Sequence, residues 1–311
     1  MLLISGVTAF LAGGAPGAFR RFARGPFSYG SERDRAAAAA FRRVFGRDPQ
    51  SPTDWQTAHA LNPKSYDPKN KDVDAEIKVV KIRPVPGKGS ARVGQYIEQR
   101  DVTGGPDGSR EMGDNRTADP NFDPEQTRVA TVVDYENGIV VMRQNPSVRE
   151  NSDGSPGEVR VDPPEGRVWQ ADDGAVRVQY EAGNPFAPSA AQDPPGGLSA
   201  WTVNGDLVFT PGSNGITVDG VRTDYPSMEV YQTLPEGSIR TVLVDPATSG
   251  SSLGPALNLP KHHDIGSGSK AFQQFMDWNL EYDVPNAIPK PSTEFGNPAN
   301  PPGVPPIPGM I

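Results

Sequence analysis

Residues 201–245 read WTVNGDLVFTPGSNGITVDGVRTDYPSMEVYQTLPEGSIRTVLVD. Short runs of Val, Ile, Leu, Phe and Tyr alternate there with Asn204-Gly205, Asn214-Gly215, Asp219-Gly220 and Glu236-Gly237. Asn-Gly and Asp-Gly tolerate the positive φ that tight hairpin turns demand, so the stretch predicts consecutive antiparallel strands. The rest of the chain is expected to pack around this meander.

Composition agrees with a turn-rich β body. Of 311 residues, 34 are Gly and 34 are Pro, while only 35% are hydrophobic. That balance predicts irregular flanks that bury too little apolar surface to order themselves. The net charge is -8, unevenly placed. Residues 1–47 hold eight arginines against Glu32 and Asp34, so the remaining chain carries about -14. An acidic body repels phosphate backbones, which excludes nucleic acid as its partner. Membrane contact is left to the basic N-terminal arm. With no cysteine, disulfides, thiolate catalysis and cysteine metal sites are excluded.

Working outward, residues 31–45 (SERDRAAAAAFRRVF) predict a helix capped by Ser31 and ended by Gly46. Residues 1–18 are apolar but Gly-broken and too short for a secure membrane span. Their charge follows the apolar run, against the order of a signal peptide. A second helix opens at Pro52, with Thr53 or Asp54 as its cap and Trp55, Ala58 and Leu61 on its buried side. Residues 76–83 and 91–102 predict partner strands, and residues 104–125 a long surface loop. Asn137-Gly138 between apolar runs is a hairpin signal, and Asp173-Gly174 turns another pair. Residues 184–197 form an irregular connector. Residues 269–280 read as a C-terminal helix, and the chain from Pro285 on as a polyproline-like tail. Residues 137–142 echo residues 204–209, a weak hint of two related sheets. The tryptophans Trp169, Trp201 and Trp278 are expected in the core.

A resemblance joins these pieces. FRRVFGRDP with PTDW (residues 41–55), SYDPK (65–69), DYENGIVVMRQNPSV (134–148), NGDLVFTPG (204–212) and TDYPSMEVY (223–231) resemble a group of conserved mycobacterial and related actinobacterial proteins. The likeness runs from about residue 41 to about residue 295. It implies an uncharacterised family, several of whose members look exported or associated with type VII secretion. It brings no catalytic pattern with it.

Two clusters carry candidate chemistry. His262, His263 and Asp264 precede a Gly/Ser loop and a predicted helix, a setting in which backbone N–H groups face an anion and a histidine beside a carboxylate can move protons. That is the candidate catalytic group of a hydrolase or toxin-like effector. Against it, neighbouring side chains of an extended chain point apart. Asp119, Asn121 and Asp123 alternate oxygen ligands as a calcium loop begins. Pro124 then stands where that loop needs Gly, and Ala130 where it needs Glu. No phosphate-binding fingerprint occurs, and no cofactor is expected.

The expected fold is mainly β, α+β at the margins: an antiparallel sandwich or open barrel of hairpins with a few peripheral helices. The expected organisation is a basic arm with one helix (1–49), a β-dominated domain (50–283) and a flexible Pro-rich tail (284–311). The expected function is a non-catalytic secreted or cell-envelope interaction module with a protein partner. The alternatives are the hydrolase or effector named above, a structural component of a larger assembly, and a cytoplasmic location.

Overall fold

The computed structural model of the chain describes residues 31–103, 108–186, 201–279 and 284–305. The N-terminal apolar stretch, most of the 184–197 connector and the last six residues lie outside it. In chain order the strands are β1 (Glu76–Lys81), β2 (Ser90–Tyr96), β3 (Asp101–Thr103), β4 (Arg110–Met112), β5 (Val129–Asp134), β6 (Ile139–Gln144), β7 (Ser147–Glu150), β8 (Pro156–Arg160) and β9 (Glu165–Gln170). They continue as β10 (Val176–Ala182), β11 (Val203–Gly212), β12 (Gly215–Thr223), β13 (Ser227–Thr233), β14 (Ile239–Asp245), β15 (His262–Ile265), β16 (Met276–Asn279), β17 (Val284–Pro289) and β18 (Thr293–Glu294). The helices are α1 (Glu32–Phe45), α2 (Pro52–Leu61) and the short α3 (Gly254–Asn258).

The fold is mainly β, as expected. One six-stranded antiparallel sheet runs β1-β6-β5-β2-β13-β14 and a second runs β15-β12-β11-β10-β9-β18. A four-stranded sheet (β3-β4-β7-β8) and the β16-β17 hairpin flank them. The two large sheets share one core, in which Val80, Val93, Val133 and Met142 of the first meet Val178, Leu207, Phe209 and Ile216 of the second. They form a sandwich.

The central meander divides between these sheets. β11 and β12 lie in the second sheet, β13 and β14 in the first. Only Asn214-Gly215 and Glu236-Gly237 fall at turns between strands. Asn204-Gly205 and Asp219-Gly220 sit inside β11 and β12, which corrects their reading as turns. The reason is close approach. Gly205 faces Tyr180, and a Cβ there would lie 2.7 Å from the Tyr180 hydroxyl oxygen. At Gly220, with φ +131°, a Cβ would come within 2.1 Å of the Asp206 carbonyl oxygen. The glycines are needed for packing, not for chain reversal. The echo of Asn137-Gly138 at Asn204-Gly205 therefore joins a turn to a strand interior.

Strands β5 and β6, and the Val79-Val80 pair of β1, read as apolar runs because both faces are covered there. Val80, Val133 and Val140 face the other sheet, whereas Val79, Val132 and Val141 face the helices. β1 pairs with β6, and β2 with β5 and β13, so β1 and β2 are not partners. Helix α1 belongs to this body: Ala37 and Phe41 pack with Ala58 and Leu61 of α2 against the sheet. Where that outer face is formed by β2 and β13 it lies under residues 113–125, read from sequence as a surface loop. Glu229 of β13 is fully buried there. It takes an ion pair from Arg116 at 2.6 Å and hydrogen bonds from the Tyr231 hydroxyl and the Asp119 amide. Arg116 in turn stacks on Tyr96, and Arg92 on Phe122. A buried carboxylate has to be compensated, and the loop supplies that.

Ser51, not Thr53 or Asp54, caps α2, and Asp54 completes a capping box with it. The Asp54 carboxylate also accepts a forked pair of bonds from Arg47 and one from the Asn137 side chain. Asn137 in turn donates to Asp134, which accepts from Thr57 of α2 as well. Three motifs of the family resemblance, GRDP, PTDW and DYENG, thus meet in one network. Burial works to raise the Asp54 pKa, but Arg47, the Gln50 amide and Asn137 together outweigh it and hold the carboxyl at about 2. The folded value lies below the unfolded one. The stabilisation that Asp54 contributes is therefore complete above about pH 4 and is lost as pH falls through about 2. Its size is roughly 2 kcal/mol. Asp54→Asn is expected to lose that amount at neutral pH and to flatten the acid limb of stability, read from urea midpoints at several pH values.

Two further expectations are corrected. Residues 269–280 are not an α-helix. Gly268–Phe275 is a 3-10 segment whose Phe275 and Phe272 cover Trp169 and Val208 on the second sheet, and β16 follows directly. Residues 284–305 of the Pro-rich tail, expected to be flexible, form strands and backbone hydrogen bonds. β18 pairs with β9, and residues 296–304 exchange backbone hydrogen bonds with Val79 and Lys81 of β1. A Pro-rich segment can do this because it works from the rim of a sheet, where each residue needs only one bonding side. The tail crosses from the edge of one sheet to the edge of the other and closes that flank of the sandwich. Trp169 is buried, Trp201 half-buried, and the Trp278 side chain lies outside the described part.

Candidate functional site

The His262-His263-Asp264 stretch is β15, the outermost strand of the second sheet. Alternation along a strand sends its two rings to opposite faces. His263 opposes Arg222, and its ring turns toward the flank between the sheets. There Nδ1 lies 2.7 Å from Asp224 and Nε2 lies 2.9 Å from Asp245. Both nitrogens can donate at once only when the ring carries its second proton. Arg222, fully buried, donates from Nε to the same Asp245 carboxylate and from Nη2 to the Asp245 carbonyl. Its Nη1 bonds the carbonyls of Thr223 and Pro226, where the chain crosses from one sheet to the other. The cluster Asp224–His263–Asp245–Arg222 is a clasp. It ties β12 and β15 to the end of β14, on the flank opposite the C-terminal tail.

His262 turns to the outer face of the second sheet and meets the Asn204 side chain at 2.6 Å. Burial pulls its pKa below the ordinary histidine value; the Asp224 carboxylate opposes this and His263 adds to it. The ring stands at one end of an open groove of about 840 Å³. Side chains of β9, β10 and β11 line it: Glu165, Arg167, Gln179, Glu181, Asn204 and Asp206. Strand alternation sets this face. On β10, Val178, Tyr180 and Ala182 turn inward, and Gln179 and Glu181 turn out. Glu165 and Glu181 are directly opposed cross-strand partners, an arrangement in which like charges repel. Arg167 is paired with Glu294 at the rim, and Asp206 with Arg177. The Arg177 guanidinium lies between Trp169 and Phe272, 4.6 and 4.3 Å from the ring centres. That stack divides the face: the 3-10 segment covers one half and the groove occupies the other.

The sequence therefore brought His262 to a groove and His263 to a structural clasp, but did not bring the three residues to one point. Asp264 packs against Gly268 at the following turn. Asp224, Asp245, Arg222, Glu165 and Glu181 were missed. Alternation along residues 176–182 was the available signal for the outward Gln179 and Glu181. Nothing local joins residues 222–224 to 245 and 263.

The calcium-loop carboxylates are engaged within the protein. The Asp119 carboxylate accepts from the Asn121 amide two residues on, and Asp123 is held by Arg33 at 2.5 Å. Among the described residues no group of three His, Cys, Asp or Glu side chains stands where it could hold a metal ion. No helix of the described residues is long and apolar enough to cross a membrane. No protein-family model matches the chain, and no curated protein matches it either.

Proposed function

We propose that the protein is a non-catalytic interaction module, secreted or held at the cell envelope and associated with type VII secretion, and that the groove on the second sheet is its binding face. The single observation that carries this reading is the opposed pair Glu165 and Glu181, set in an open polar groove beside Asn204 and His262. Two carboxylates facing each other repel, and a cationic group between them relieves that cost. A protein partner presenting Lys or Arg fits this chemistry. The cellular setting rests on the family resemblance of residues 41–295. A hydrolase or toxin-like effector built on His262, His263 and Asp264 fits less well, because the rings point to opposite faces and both nitrogens of His263 are engaged by carboxylates.

The test is titration of the folded protein with an oligolysine peptide, followed by capture of partners from envelope extract. Glu165→Gln with Glu181→Gln is expected to weaken peptide binding about tenfold, with wild-type binding falling as salt rises. The captured partners should be lost from the variant as well. Equal binding by both proteins would refute the groove as the binding face. Turnover of a hydrolase substrate panel that disappears in His262→Ala would establish the catalytic reading instead.

A further inference from the structure

We propose that β14 is a docking edge for a second copy of this chain. In the pair, two β14 strands run antiparallel about a two-fold axis and join two copies of the first sheet into one. The inference is independent of the groove, which lies on the other sheet.

A sheet edge exposes a row of unpaired backbone donors and acceptors, and proteins blunt such edges with covering segments, Pro or Lys. Here two edges are covered. Residues 296–304 bond to β1, and β18 lies along β9. β14 ends the first sheet, and no strand of the described residues lies on its far side. Its seven residues, IRTVLVD, contain no Pro, Gly or Lys and are rich in β-branched side chains. Ile239 is 36% exposed and Val244 43%, two of the few large apolar side chains left open to solvent among the described residues. Only an extended chain supplies donors and acceptors at the spacing of such an edge.

The strand's own sequence favours itself as that chain. Antiparallel pairing that sets Ile239 opposite Val244 of the second copy sets Val244 opposite Ile239 of that copy by the same operation. Both exposed aliphatics are then covered, twice over, as cross-strand pairs. The axis passes between Thr241 and Val242, where β14 bulges away from regular pairing with β13, so the two ends of the strand hold the ladder. Asp245 and Arg240 are engaged within each copy, by Arg222 and by Gln232. Asp245 thus meets the mate already neutralised by Arg222, while Arg240 keeps its charge but is held within its own copy by the Gln232 side chain and the Ile216 carbonyl. A single strand from each copy makes a small interface, so the association is expected to be weak, roughly micromolar or looser.

Sedimentation equilibrium over roughly a hundredfold range of concentration tests the proposal, with hydrogen exchange at both ends of that range. The wild type is expected to show a monomer–dimer equilibrium, with slower exchange at residues 239–245 in the concentrated sample. The double variant Ile239→Lys/Val244→Lys places charge on the solvent side of the edge. It should weaken association about tenfold or more while keeping the wild-type urea midpoint. A wild type that stays monomeric throughout, a dimer that persists in the variant, or a dimer whose β14 amides gain no protection each overturns the inference. Glu165→Gln/Glu181→Gln should leave the dimer untouched, so failure here and failure of the groove are read separately.

Discussion

Arg222→Ala is expected to remove about 3–5 kcal/mol of stability, the loss typical when one partner of a buried ion pair is deleted. The side chain is fully buried, and its guanidinium makes four hydrogen bonds. Two go to Asp245 at the end of β14, and two to carbonyls at the crossover between the sheets. Truncation strands Asp245, leaves those carbonyls without a donor, and removes the cation that shares Asp245 with His263. Arg222→Lys should recover little, because an ammonium has no fork with which to reach three carbonyls and a carboxylate together. His263→Ala should cost less, since that ring sits on the exposed side of the clasp. Urea denaturation of the three variants checks the order. A loss below about 1 kcal/mol for Arg222→Ala would mean that the clasp contributes no more than an ordinary surface pair.

Ending the chain after Pro289 is the second large effect. The deletion removes the bonds from Val79 and Lys81 to Gly296 and Pro302, the return bonds from Gly296 and Val304, and the bond from Phe295 to Gly166. It also leaves the Trp169 Nε1–H without its acceptor, the Lys290 carbonyl. At about 1 kcal/mol for each of these five backbone bonds, and more for the buried indole, the expected loss is roughly 6–8 kcal/mol. The edges of β1 and β9 are exposed together, so the shortened protein should also associate through them. Thermal unfolding with light scattering reads both consequences. A truncated protein that stays monodisperse with an unchanged midpoint would show that the tail only lies along the sandwich without holding it.

Part of this architecture was legible because its causes are local. Ser31 and Gly46 bound the first helix through cap geometry. Asn137-Gly138, Asp173-Gly174 and Glu236-Gly237 mark turns because few other dipeptides tolerate that backbone. Other features escaped because their cause is distant. Gly205 and Gly220 look like turn glycines, yet Tyr180 and the Asp206 carbonyl explain them. The Pro-rich tail looks incapable of order until the free edge of β1 is in place to receive it. Residues 113–125 look like a solvated loop until buried Glu229 requires Arg116. At the candidate site, the separation of His262 from His263 followed from strand alternation alone. That Asp224, Asp245 and Arg222 would gather around one ring, and that Glu165 would face Glu181, depended on strand pairing and on the crossover between sheets.

The chain by itself determined that it is built of antiparallel strands with helices at the margin, since turn residues and alternating apolar runs act within a few positions of one another. Only the tertiary structure decided which strands share a sheet, which flank the tail closes and which the clasp closes, and that no strand of the described residues lies along the far side of β14. Those outcomes depend on hydrogen bonds and ion pairs between residues tens to hundreds of positions apart, for which nearby sequence carries no mark.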